Sequence, residues 1–201
     1  MSETMKPFAF TAENRATADK IIAKYPEGRQ QSAVMPLLDL AQRQNDGWVS
    51  TTAMDHIATI LDIPPMRVYE VATFYTMYNK TPVGKFHIQT CMTTPCWLRG
   101  IDGINKAMTE HLGIGMHETT NDGVFTLTPV ECLGACCNAP MVQINDDYYE
   151  DLTPENIVAV LRDLAEKGEA KTGSQAGRSS SEPAGKLTSL SKRAEAHYVT
   201  G

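Results

Sequence analysis

The sequence predicts two architectures in one chain: a small helical bundle, then an α/β sandwich with helices against a mixed sheet. Three observations predict it. Apolar residues repeat at helical spacing from Thr11 to about Tyr78, and alternation at period two begins after Thr81-Pro82-Val83-Gly84. Beyond Gly168 the chain turns to Gly, Ala, Ser, Pro and Thr, with Leu187, Leu190, Tyr198 and Val199 as its large apolar residues. At 201 residues there is room for one ordinary domain or two small ones. The expected division is a helical subdomain over 8–80, an α/β domain over 84–167 and a tail over 168–201, flexible or anchored on a partner.

In the first part, Ala18, Ile21, Ile22 and Tyr25 form one stripe, and Val34, Leu37, Leu38 and Ala41 a second. Met54, Ile57, Ala58 and Leu61 form a third, with Ser50, Thr51 or Thr52 available as N-cap. Pro64 and Pro65 stop that helix, and a last short one is expected over Met66 to Tyr75. The stretch Met66 to Tyr78 carries more aromatic residues than one small helix buries, so part of it is expected to dock on a partner.

In the second part, Lys85 to Thr90 reads as a strand. A helix is expected over Pro95 to Leu112, capped by Thr94, with a stripe of Trp97, Ile101, Ile104, Met108 and Leu112. Val124 to Val130 alternates again, and Met141 to Ile144 and Asp147 to Tyr149 form a hairpin turning at Asn145-Asp146. Thr153-Pro154-Glu155 opens a final helix carrying Ile157, Val160, Leu161 and Leu164. The order β-α-β-β-β-α fits a thioredoxin-like fold.

Composition narrows the function. The net charge is −6, and an acidic chain lacks the basic footprint of a nucleic-acid binder. No apolar run approaches the ~18–20 residues needed to span a bilayer, so no membrane insertion is expected. The first ten residues have the character of neither a secretory signal nor a transit peptide, so the five cysteines are not expected to form a disulfide framework.

The cysteines fall in two groups. Cys91 and Cys96 stand in CMTTPC, between a strand and a helix; Cys132 and Cys136 stand in CLGAC after the second strand, with Cys137 next. Loops at strand ends gather where α/β proteins bind ligands, so four thiolates can meet there. Zinc takes four thiolates, but its structural knuckles favour C-x2-C, which neither pair has. A thioredoxin-type redox site also uses C-x-x-C at the first βα turn, and this loop is two residues longer. A [2Fe–2S] cluster is larger, and C-x4-C occurs in plant-type ferredoxins. Spacing favours the cluster and leaves zinc or reduced structural thiols open. Gly134 lets the second loop turn its N–H groups inward, and Cys96 in the first helical turn lies at the positive dipole end. His87, His111 and His117 read as ordinary histidines, and Cys137 as an apolar filler pointing away from Cys136.

The stretches CMTTPCWLRG and ECLGACCNAPMVQINDDYYEDLTPENI resemble the E subunit of bacterial NADH:quinone oxidoreductase (respiratory complex I), the small [2Fe–2S] subunit of its flavoprotein fragment. YPEGRQQSAVMPLLDLAQ and MRVYEVATFYTMY resemble the same family, so the likeness runs from residue 8 to about 168. The resemblance implies a helical subdomain followed by a thioredoxin-like [2Fe–2S] ferredoxin domain. It implies one [2Fe–2S] cluster held by Cys91, Cys96, Cys132 and Cys136, and it leaves no catalytic side chain on this chain. Cys137, where the family has an apolar residue, is a departure. Implied partners are a subunit that binds FMN and NADH and the larger iron–sulfur subunit, in the peripheral arm on the cytoplasmic side of the bacterial inner membrane. No G-x-G-x-x-G follows a strand here, so FMN and NAD belong to a partner. The related subunit of an NAD-linked hydrogenase or formate dehydrogenase is the alternative within the resemblance, and a zinc-stapled interaction module the alternative outside it.

Overall fold

A computed structural model describes residues 7–183 and 185 of the chain. The chain divides between Lys85 and Phe86 into two compact units. The tail residues Leu187, Leu190, Tyr198 and Val199 lie outside the described residues.

The first unit holds α1 (Ala12–Ile22), α2 (Val34–Gln44), α3 (Thr51–Leu61) and α4 (Pro65–Phe74). Of the three candidate caps, Ser50 is used: its hydroxyl accepts the Ala53 N–H at 3.2 Å. Asp62 then ends α3 in the left-handed region at φ 51°. The stripes of α2 and α3 are buried at every expected position, and α1 buries Ala18. Leu37, Leu38 and Ile57 are completely covered; each such side chain is worth about 1.5–3 kcal/mol relative to an exposed one. α4 begins at Pro65, where a missing N–H costs nothing, and Val68 and Ala72 face the core. Tyr78 is buried too, its hydroxyl donating to the Met35 carbonyl at 2.9 Å. Met66, Phe74, Tyr75 and Met77 are exposed, Phe74 at 78%.

The second unit is built on a five-stranded sheet in the order β2-β1-β3-β4-β5, from β1 (Phe86–Cys91), β2 (Phe125–Val130), β3 (Val142–Ile144), β4 (Asp147–Glu150) and β5 (Gly173–Ser174). β1 and β2 run parallel in a register that sets Phe86 opposite Phe125 and Cys91 opposite Val130. β1–β3 and β3–β4 are antiparallel, and β4–β5 is parallel. The hairpin turns at Asn145-Asp146, with Asn145 at φ 54°. α6 (Ile101–Leu112) and α7 (Pro154–Lys167) pack side by side. Their Ile101, Ile104, Met108, Ile157 and Leu161 join Ile88, Leu127 and Val142 of the sheet in one core. Thr153 and Asn156 close a reciprocal capping box at the start of α7.

Three expectations fail here. The helix expected over Pro95 to Leu112 is two helices, α5 (Thr94–Leu98) and α6, broken where Gly100 sits at φ 92°. Glycine reaches that conformation without the steric cost other residues meet, and the break removes Trp97 from the apolar stripe. Trp97 and Leu98 are therefore exposed, at 59% and 71%. The N-cap position of α5 is Thr93, not Thr94, and no side chain caps it. The α/β domain also does not end at residue 167. Gly173 and Ser174 add a fifth strand, and Arg178 pairs with Asp151 at 2.8 Å with both side chains largely covered. Backbone pairing and a shielded ion pair order this stretch, which has too little apolar surface to order itself.

Candidate iron–sulfur site

Because β1 and β2 are parallel neighbours in register, their following loops leave the sheet at the same end. Cys91 is the last residue of β1, and the ladder continues one step as the Met92 N–H reaches the Val130 carbonyl at 3.0 Å. Cys96 lies on α5, and both of these thiols are buried. After β2, Gly134 at φ 91° turns the loop so that its N–H faces Cys132 Sγ at 3.4 Å. Cys136 opens a 3-10 turn over Cys136–Asn138, and its Sγ is 3.4 Å from that of Cys132. Cys132 and Cys136 are exposed. The thiols thus stand as two pairs. Among the described residues, no three His, Cys, Asp or Glu side chains converge as a single metal ion would require.

The electrostatics link the pairs. Burial would raise Cys91, but the Thr93 hydroxyl and N–H, the Cys96 thiol and the Leu133 N–H hold it below its ordinary value. Cys96 is pushed up to about 12 by burial and by the Cys91 thiol, against a pull from the Met141 N–H. Cys132 is lowered by the Gly134 N–H, then by the Cys136 thiol and the Thr93 hydroxyl. Cys136 is raised by its bond to Cys132. Thr93 Oγ1 lies 3.3 Å from Cys91 Sγ, and its hydroxyl is also among the groups that lower Cys132 on the other loop.

Oxidised [2Fe–2S] clusters with four thiolates are anionic and need donors aimed at sulfur. Four thiols in two pairs, with N–H groups from Thr93, Leu133, Gly134 and Met141 and one shared hydroxyl, fit such a cluster.

The reading of Cys137 as a buried filler is wrong. Cys137 is exposed, and Asn138, 2% exposed, is the residue this turn buries. Of the histidines, His87 is buried with its ring 2.8 Å from Thr128 Oγ1, and His111 and His117 are exposed. Sequence reasoning missed Thr93, whose signal was its place inside CMTTPC, two residues from Cys91. It also missed Asn105, which accepts from Thr90 Oγ1 at 2.7 Å and donates to the sulfur of Met92 at 3.1 Å, tethering the first loop. Tyr148 similarly ties the second loop through the Leu133 carbonyl at 2.6 Å.

A parallel strand pair ending in two cysteine loops defines a ferredoxin built on the thioredoxin plan, and residues 18–165 match the family model described as thioredoxin-like [2Fe-2S] ferredoxin. The chain is 57% identical over 164 residues to the E subunit of the NADH-quinone oxidoreductase of Rickettsia bellii, covering 82% of this chain and 98% of that one. It is 54% identical over 185 residues to NADH dehydrogenase [ubiquinone] flavoprotein 2, mitochondrial, of Dictyostelium discoideum, covering 92% of this chain and 75% of that one. The fold is shared with an NAD+-reducing [NiFe]-hydrogenase at a TM-score of 0.56 and 20% identity, over 65% of this chain and 23% of that one. The chain belongs to the thioredoxin-like [2Fe–2S] ferredoxins and, among them, to the family of NADH-quinone oxidoreductase E subunits. It is a [2Fe–2S] subunit of an oxidoreductase.

Proposed function

We propose that Cys91, Cys96, Cys132 and Cys136 hold the cluster, and that this chain passes single electrons between it and the FMN of a partner subunit that also binds NADH. The observation that carries this is the meeting of two thiol pairs at the ends of adjacent parallel strands. When bound, the group supplies a one-electron couple, which suits a relay between a two-electron donor and a one-electron chain. The chain's own residues hold the sulfurs, aim N–H and O–H donors at them, and bury Cys91 and Cys96 away from water.

The exposed pair leaves the site accessible, and Met92, Trp97 and Leu98, which follow Cys91 and Cys96 in the chain, are exposed at 42%, 59% and 71%. Apolar and aromatic side chains beside a redox group favour a covering protein, so this face is assigned to the flavin-bearing subunit. Phe74 and Tyr75, edge-to-face at 5.0 Å, offer a further docking surface in the helical unit, assigned to the flavin-bearing subunit as well. The larger iron–sulfur subunit is the further expected neighbour. Among the described residues no helix is long and apolar enough to cross a membrane. The proposed position is the peripheral arm of complex I, on the cytoplasmic side of the inner membrane. The hydrogenase likeness concerns the fold alone, whereas the likeness to the Rickettsia bellii protein runs through both cysteine loops at more than half identity.

Iron and sulfide assays on anaerobically purified variants test the ligand set. Alanine at Cys91, Cys96, Cys132 or Cys136 is expected to weaken or abolish the cluster, and Cys137→Ala to leave it intact. Normal iron in Cys136→Ala would overturn the assignment between the two adjacent cysteines.

A further inference from the structure

In the loop from Cys132 to Asn138, Cys132, Gly134, Cys136 and Cys137 are all exposed, and only Leu133 and Ala135 pack, partly buried, against the core. Loops of that kind open locally at small free-energy cost. Something else holds this one from behind. The Cys137 carbonyl accepts from Arg178 Nη1 at 3.1 Å, and the same nitrogen reaches Asp151 Oδ1 at 2.8 Å. That ion pair is shielded, with side chains 12% and 10% exposed. Arg178 Nε donates to the Glu182 carbonyl at 2.8 Å, closing its own segment into a turn. One residue along, Asn138 Nδ2 donates to Glu150 Oε2 and to the Ser180 carbonyl, each at 2.8 Å. The segment is fixed upstream as well: Ser174 Oγ donates to Asp151 Oδ2 at 2.6 Å, and the Gln175 N–H reaches the Glu150 carbonyl at 2.9 Å.

Residues 173–182 thus form a strap running from β5, past the end of β4, to the back of the turn that carries Cys136. We propose that this strap, with Arg178 as its positioning residue, locks the Cys132–Asn138 loop in its sulfur-presenting conformation and so slows loss of iron from the cluster. The proposal rests on Cys136 being a ligand. Arginine suits the task because its planar fork serves a carboxylate and two carbonyls at once, which a lysine ammonium on its flexible stem does not reproduce. The strap's bonds go to the Cys137 carbonyl and the Asn138 side chain, not to a sulfur.

The test uses the full chain purified anaerobically with its cluster, as wild type, Arg178→Lys, Arg178→Ala and Ser174→Ala. Arg178→Ala strands the covered Asp151 carboxylate and can lower overall stability; Arg178→Lys keeps the charge opposite it and separates the two effects. Three quantities are read: iron release to a chelator, followed by bleaching of the visible absorbance; hydrogen exchange of the Cys132–Asn138 amides; and the thermal midpoint. Arg178→Lys is expected to release iron up to about tenfold faster, as loss of one hydrogen bond of ordinary net strength allows. Its loop amides are expected to exchange faster at a near-normal thermal midpoint, and Ser174→Ala, which removes the strap's upstream bond to Asp151 but leaves the Arg178 bond to Cys137, is expected to shift both in the same direction by less. Wild-type iron release and loop exchange in Arg178→Lys would overturn the proposal. So would release rates that merely follow the thermal midpoint across all variants. If the wild-type chain bound no iron, the ligand reading would fall instead, and loop exchange would still decide the strap.

Discussion

Thr93→Val isolates one hydroxyl at the centre of the site. The side chains are nearly isosteric, and although Thr93 occupies the N-cap position of α5, its oxygen caps nothing. The loss of about 1 kcal/mol that usually follows removal of an N-cap side chain is therefore not expected. What disappears is a hydroxyl 3.3 Å from Cys91 Sγ, which donates once that sulfur is a thiolate. A hydrogen bond to a charged group is worth about 1.5–3 kcal/mol. Reduction adds negative charge at the sulfurs, so the donor stabilises the reduced state more than the oxidised one, and its removal lowers the potential. Only the difference between the two states is measured. If it is a third to a half of one bond, roughly 0.5–1.5 kcal/mol, the one-electron midpoint falls by about 20–65 mV. The assay is a redox titration of the full chain followed by EPR of the reduced cluster, with the thermal midpoint as control. An unchanged midpoint, or a rise, would refute the reasoning; so would a large loss of thermal stability, because it would show the hydroxyl holding the loop.

Two other outcomes follow from the same geometry. Phe74→Asp with Tyr75→Asp is expected to abolish co-purification with the flavin-bearing subunit while iron content stays normal; undiminished co-purification would remove that surface from the interface. Burial holds His87 below its ordinary value of 6.5, so the unfolded chain takes up a proton that the folded one refuses as pH falls. Its contribution is complete above about pH 6.5 and declines below it toward the lowered folded value. Urea midpoints at about pH 7.5 and pH 5.5 should therefore differ less in His87→Gln than in wild type, and equal differences would contradict it.

The helical unit was legible because its stripes are dense: Val34, Leu37, Leu38 and Ala41 announce one buried face at one period. The cysteine pairs were legible because their spacing is chemistry written along the chain. Their convergence was not, since it depends on β1 and β2 being parallel neighbours in register. The break at Gly100 escaped notice because the apolar stripe resumes at Ile101 in nearly the phase of an unbroken helix. Cys137 was misread because two adjacent cysteines look alike in sequence, and only the 3-10 turn decides that Asn138 goes inward instead. The stretch around Arg178 was invisible for a different reason. It is ordered by a carboxylate, a guanidinium and backbone carbonyls, so it carries none of the apolar patterning by which burial is read.

The in-register pairing of Cys91 with Val130 has a consequence for how this protein tolerates change. Neighbouring strands lie about 4.8 Å apart whatever chain joins them, so the mouth between the two cysteine loops is gauged by the sheet, not by the crossover. Residues 117–120 are themselves bonded to β2, but insertions at the exposed residues 121–123 should lengthen a surface turn and leave that gauge untouched. Sliding β1 by a single residue would instead turn Cys91 to the opposite face of the sheet. Length is free in that turn and quantised in the strand.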